Sequence, residues 1–176
     1  MAMARQLWLL RHADAEPHGT RPDAERQLTE RGERQARVAG VALARMGVAF
    51  GAVLVSPKAR ARETAELALA QMMESQGDSR GELRSDLLEL HTPLAGGFRA
   101  EQALDAFAGA GAAGPLLLVG HEPDLSGVVG ELTGGRVDLK KGGLAVVKLG
   151  AGGGELVLLL RPAELALIAG AAVVEV

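Results

Sequence analysis

Gln6-Leu7-Trp8-Leu9-Leu10-Arg11-His12-Ala13-Asp14-Ala15-Glu16 is an apolar run that stops abruptly at an arginine and a histidine. A run this short reads as a buried strand, and a strand that carries a cation and an imidazole to its C-terminal end places them where open α/β sheets bind ligands. The pattern returns at Leu116-Leu117-Leu118-Val119-Gly120-His121-Glu122-Pro123, so two of the four histidines follow apolar strand-like runs.

Working outward, Ala52 to Val55 reads as a third buried strand, and helical patterns lie between the strands. Thr29 is the expected N-cap of a helix over about Glu30 to Met46. Ser56-Pro57, with serine as N-cap and proline at the first helical position, predicts a helix to about Met73. Glu74 to Arg84 reads as a loop, Phe98 to Ala108 as a helix, and Gly109 to Pro115 as a break. Pro123 starts a helix that Gly134-Gly135 ends. Leu144 to Leu149 and Glu155 to Leu160 form an expected hairpin, and Pro162 opens a last helix. Strands alternating with helices predict a three-layer α/β/α sandwich, with the hairpin making the mostly parallel sheet mixed. One domain over residues 1–176 is expected, since no linker or repeat divides the 176 residues.

Composition bounds the function. A net charge of -3 and a pI near 5.8 leave no electrostatic footprint for nucleic acid, and 2% aromatic residues leave little for base stacking. Any anion site must be local. The absence of cysteine rules out disulfides and thiolate metal sites and fits a reducing compartment. The N-terminus lacks a signal-peptide pattern, and the apolar stretch Leu165 to Val174 is shorter than the ~20 residues of a membrane span. A cytoplasmic protein without a membrane partner is the expectation.

Three strand ends supply a consistent set: Arg11 and His12 after the first, Arg60 on the first turn after the second, and His121 after the third. Two guanidiniums, two imidazoles and a helix N-terminus suit phosphoryl transfer, where catalysis is mainly positioning and charge stabilisation. Arginine's planar fork matches phosphate oxygens bidentately.

Leu9-Leu10-Arg11-His12-Ala13, Leu28-Thr29-Glu30-Arg31-Gly32, Val55-Ser56-Pro57-Lys58-Ala59-Arg60-Ala61-Arg62-Glu63-Thr64-Ala65 and Val119-Gly120-His121-Glu122-Pro123 resemble, in order, the motifs of the histidine phosphatase (phosphoglycerate mutase-like) superfamily. Within it the chain looks most like the SixA-type phosphohistidine phosphatases, and the resemblance runs from about Gln6 to Leu160. It implies that His12 attacks the phosphoryl group and carries it as a covalent phosphohistidine, while Arg11, Arg60 and His121 hold its oxygens, with no cofactor. Ala13 stands where the family usually has glycine. Arg26 matches an arginine often found in SixA-type sequences and is a candidate for contacting phosphate or substrate. Glu89 lies roughly where many members place a proton-donating carboxylate.

An imidazole leaving group, with a pKa of about 6.5, can draw its proton from solvent and so depends less on such a donor. Between Glu89 and Leu116 there is room for one helix, not a helical lid, so an open site is expected. It would admit a phosphohistidine on a protein, such as a phosphotransfer domain of a signalling relay. A small-molecule phosphomonoesterase is the alternative. Two further classes are a hydrolase using His12, Asp14, Glu16, His18 and His121 as metal ligands, and a non-catalytic phosphoprotein-binding module. Arg11 and Arg60 would repel a metal ion from the same pocket, so no metal is expected.

Overall fold

Leu7 and Leu9 face one side of the first strand and Trp8 and Leu10 the other, and all four are buried. A strand buried on both faces must lie inside a covered sheet, and each such leucine contributes about 2 kcal/mol by leaving water. The computed structural model, which describes residues 5–77, 87–110 and 114–173, places β1 (Gln6–Arg11) near the centre of a six-stranded sheet. Its partners are β4 (Leu116–Gly120), parallel, with Arg11 opposite Gly120, and β5 (Leu144–Gly150), antiparallel. Then β2 (Ala52–Val55) pairs with β4, β3 (Leu88–Leu90) forms one edge beside β2, and β6 (Gly153–Leu160) forms the other beside β5. The strand order is therefore β3-β2-β4-β1-β5-β6.

Helices cover both faces. Trp8, Leu10, Val53, Val55, Leu117 and Val119 pack against α1 (Glu30–Arg45), α2 (Ala59–Ser75) and α5 (Pro162–Ala169). Leu7, Leu9, Leu54, Leu116 and Leu118 pack against α3 (Ala100–Gly109) and α4 (Asp124–Thr133). This is the expected α/β/α sandwich with a mixed sheet.

Two glycines allow α1 to approach its neighbours. A Cβ on Gly32 would lie 1.9 Å from the Asp14 carbonyl oxygen, and one on Gly40 would lie 2.2 Å from that of Ala68 on α2. Thr29 caps α1 as expected, its hydroxyl accepting from Gly32 N at 3.1 Å.

Two expectations change. The helix predicted from Ser56 begins at Ala59, with Lys58 as its N-cap residue, because the Ser56 hydroxyl bonds to a histidine. A three-residue strand, Leu88–Leu90, was not expected and extends the parallel part of the sheet. Residues 78–84 of the expected loop lie outside the described residues, as do 111–113 of the glycine-rich break and 174–176 of the tail. No helix among the described residues is long and apolar enough to cross a membrane.

Candidate active site

The C-terminal ends of β1, β2 and β4 lie side by side, and the residues that follow them meet. His12 N donates to Gly120 O at 3.0 Å and Gly142 N to His12 O at 3.0 Å, so the chain after β1 is held from both neighbouring strands. Ala13 N donates to Thr64 Oγ1 at 3.0 Å, and that hydroxyl donates to Arg60 O at 2.6 Å, tying the same turn to α2. Ala13 is fully buried, and no residue other than glycine has positive φ among the described residues, so alanine fits where the family usually has glycine.

The His12 ring has a defined tautomer. Its Nδ1 lies 2.8 Å from the Ala13 carbonyl oxygen, which can only accept, so Nδ1 carries the proton and Nε2 the lone pair. Arg60 Nε donates to that Nε2 at 3.3 Å. Burial, reinforced by the charges of Arg60, Arg11 and Lys141, lowers the His12 pKa to about 3, although the Ala13 bond opposes this. The ring is therefore neutral at physiological pH.

His121 faces it, with ring centroids 5.1 Å apart. Its Nε2 lies 2.7 Å from Ser56 Oγ, and that oxygen also accepts from Lys58 N at 3.3 Å. Ser56 is fully buried and its hydroxyl proton meets no other acceptor among the described residues, so it donates to Nε2, which leaves the proton of the neutral ring on Nδ1. Nδ1 is buried and makes no hydrogen bond among the described residues. Burial, then the neighbouring His12, Arg60 and Lys58 charges, lowers the His121 pKa to about 3.

Arg11 Nη1 donates to Leu139 O at 2.9 Å, while its buried Nε has no partner among the described residues. Buried donors are rarely left unpaired, and two of them around one cavity signal an anion. The cavity measures about 580 Å³ and is lined by Arg11, His12, Arg26, Lys58, Arg60 and His121, among others. Arg60 and Arg26 are 4% and 7% exposed, so their charges are held inside rather than solvated.

Arg26, an expected site residue, does line this cavity; its Nη1 donates to Glu16 O at 2.6 Å. Glu89 does not. It sits exposed opposite Leu54 on the edge strand β3, and among the described residues between β3 and β4 it is Ala95, Gly96 and Gly97 that line the cavity. The carboxyl next to His121 in the cavity lining is that of Glu122, whose pKa burial raises. Asp14 pairs with Lys141 at 2.9 Å, and Glu16, which lines the cavity, pairs with Arg21 at 2.9 Å. His18 is exposed. Among the described residues no group of three or more His, Asp or Glu side chains could hold a metal ion.

Asp23, Lys58, Lys141 and Ser56 border or brace the site without having been singled out for it in the sequence. Asp23 had a faint signal, its placement three residues before Arg26. Ser56 had a misleading one, since serine before proline reads as a helix cap.

The family model of the histidine phosphatase superfamily (branch 1) matches residues 7–92. A protein of Picosynechococcus sp., described as uncharacterized, is 32% identical over 157 residues, covering 83% of this chain and 86% of that one. The structure of the protein histidine phosphatase SixA complexed with tungstate superposes with a TM-score of 0.74 at 28% identity, covering 91% of this chain and 99% of that one. The chain belongs to the histidine phosphatase superfamily. Within the superfamily it is SixA-like. The fold is shared more widely: the alpha-ribazole phosphatase from Shigella flexneri matches with a TM-score of 0.61 at 20% identity, over 89% of this chain and 96% of that one. A phosphatase of this superfamily is the activity these likenesses support.

Proposed function

We propose that this histidine phosphatase hydrolyses phosphohistidine on a protein, with His12 as the nucleophile. The observation that carries the reading is the His12 ring itself, whose Nδ1 proton is committed to Ala13 O while the Nε2 lone pair faces Arg60 in an anion-binding cavity. The SixA likeness, and the tungstate oxyanion bound to that relative, support the same reading.

In the first step His12 Nε2 forms a bond to phosphorus as the bond from phosphorus to the substrate imidazole nitrogen breaks, and that nitrogen takes up a proton from solvent. The Arg11 Nε, the Arg60 guanidinium and the His121 Nδ1 proton stabilise the charge on the equatorial oxygens. Arg26 is placed to reach the phosphoryl group or the substrate beyond it. In the second step water attacks phosphorus, the bond to His12 breaks, and inorganic phosphate leaves with the water's second proton lost to solvent. Neither step requires the Glu89 carboxylate.

The chain between β3 and β4 builds a 3-10 turn (Thr92–Ala95) and one short α-helix, α3, among the described residues, and Ala95 to Gly97 are its part of the cavity wall. Such a mouth suits an imidazole presented by a partner such as a phosphotransfer domain. One domain over residues 1–176, acting in the cytoplasm, completes the proposal. A small-molecule phosphomonoesterase is the second reading, favoured by the fold shared with the alpha-ribazole phosphatase.

The test is rapid quenching with a phosphohistidine protein. Acid-labile, base-stable phosphate should appear on the wild type and be absent from His12→Ala, with turnover reduced about 1,000-fold or more. Equal labelling of both proteins would refute the nucleophile. Faster hydrolysis of simple phosphomonoesters than of the phosphoprotein would favour the second reading.

A further inference from the structure

The cations at the mouth of the cavity are already matched with carboxylates of the same chain. Lys141 Nζ is 2.9 Å from Asp14 Oδ1. Asp23 alone takes three more. Arg26 donates from Nε and Nη2 to Asp23 Oδ1 at 3.1 and 2.8 Å, Lys58 donates from Nζ to Oδ2 at 2.9 Å, and Arg60 donates from Nη2 to Oδ2 at 3.3 Å. Arg60 Nη1 also donates to the Asp23 carbonyl at 2.6 Å. The Asp23 side chain is 44% exposed, whereas those of Arg26 and Arg60 are 8% and 5% exposed, so the carboxylate lies on the solvent side of the guanidiniums.

The floor is different. There Arg11 Nε and His121 Nδ1 are donors without a partner among the described residues. A phosphoryl group reaching the floor finds donors that nothing else uses. A second acidic group on the same substrate, left at the mouth, meets Asp23 with its cations occupied, and Glu16, Glu122 and Asp124 line the same cavity.

We infer that Asp23 is a specificity-determining residue: by neutralising Arg26, Lys58 and the outer edge of Arg60, it restricts the site to phosphoryl groups whose leaving group bears no second negative charge. An imidazole satisfies that condition, being neutral or cationic as it departs. The inference rests on the phosphatase reading above and assigns its charge selectivity to one side chain. Lys58 and Arg26 hold the Asp23 carboxyl far below the usual carboxylate range, so the charge persists at every pH at which the enzyme works. A purely structural Asp23, serving only to aim Arg26 and Arg60, would leave all substrates equally affected by its removal.

Asp23→Asn separates the two roles, because the amide oxygen still accepts from Arg26 while the charge is lost. The substitution removes a repulsion and releases two cations, and both changes favour a second anion. Charge interactions across several ångströms at an effective dielectric near that of a protein surface make the combined effect about tenfold.

The experiment compares phenyl phosphate with para-carboxyphenyl phosphate, which differ by one carboxylate, on wild type, Asp23→Asn and Asp23→Glu. Binding of phenylphosphonate and para-carboxyphenylphosphonate, read as inhibition constants, gives the same comparison without turnover. The wild type should prefer the uncarboxylated member, and Asp23→Asn should shift the ratio about tenfold toward the carboxylated one, through KM rather than kcat. Asp23→Glu should keep the wild-type ratio. A ratio unchanged in Asp23→Asn overturns the inference, whether or not both rates fall together. If the ratio moves but phosphohistidine protein is not hydrolysed, the substrate reading fails while the Asp23 assignment stands. If phosphohistidine is hydrolysed and the ratio does not move, only the Asp23 assignment fails.

Discussion

Acidification from pH 7 to pH 5 should remove roughly 4 kcal/mol of folding stability, and the two site histidines should account for nearly all of it. His12 and His121 have pKa values lowered to about 3, chiefly by burial, against about 6.5 in an unfolded chain. The native state therefore stays unprotonated between these values while the unfolded state takes up protons. Stability is fully present above the unfolded pKa and is lost as pH falls from about 6.5 toward 3. At pH 5, about 1.5 pH units below the unfolded pKa, each imidazole costs about 2 kcal/mol.

That is a large part of a typical margin of about 5–15 kcal/mol. Asp14 and Asp23, whose carboxyls are shifted downward, lose their contributions only below the ordinary carboxylate range, outside this window. Glu122 is shifted upward and acts in the opposite sense, trimming the loss near pH 5. The assay is urea unfolding in phosphate-free buffer at pH 7, 6 and 5, followed by the fluorescence of Trp8, which is 4% exposed. His12→Gln should show about half the wild-type pH dependence. Identical pH slopes for wild type and His12→Gln would refute the reasoning, as would a wild-type stability that is flat over this range.

Two other outcomes follow from the geometry. Arg60→Lys keeps a charge but cannot both donate toward His12 Nε2 and hold Asp23 with a planar fork, so kcat should fall about 100-fold; steady-state kinetics that show a loss below threefold would contradict that role. Gly32→Ala places a methyl 1.9 Å from the Asp14 carbonyl oxygen, forcing α1 away from the turn after His12. A loss of about 2–3 kcal/mol in urea unfolding is expected, with reduced activity in the folded fraction.

Where one physical signal dominates, the sequence is transparent. β1 and β4 are apolar on both faces, and each ends in a residue that cannot continue the pattern, so strand and site were legible together at Arg11, His12 and His121. Thr29 capped its helix as its side chain predicts, and Gly134 ended α4 with φ 72°. Features set by distant partners were less legible. Leu88–Leu90 is too short for its period to show, and it is a strand only because β2 offers an edge. Ser56 carries a capping signature but is diverted by His121, whose position depends on a strand sixty residues later. Glu89 suggested an acid by its place in the chain, yet the pleat of an edge strand and its register against Leu54 leave it outside the cavity. Asp23 could not be read as a counter-ion for three cations, because two of them arrive from α2 and its approach.

The central position of β1 also sets when this protein can become an enzyme. The strand precedes the other five in the sheet, but both of its neighbours, β4 and β5, lie more than one hundred residues further along. The turn bearing His12 is held by Gly120 and Gly142, which join it only after those long loops have closed. No segment ending before Gly142 holds the turn bearing His12 from both sides, although His12 itself directly follows β1. The geometry around His12 is in this sense a property of the whole sheet, and the return of activity after denaturation should report the closing of that sheet rather than the formation of any local element.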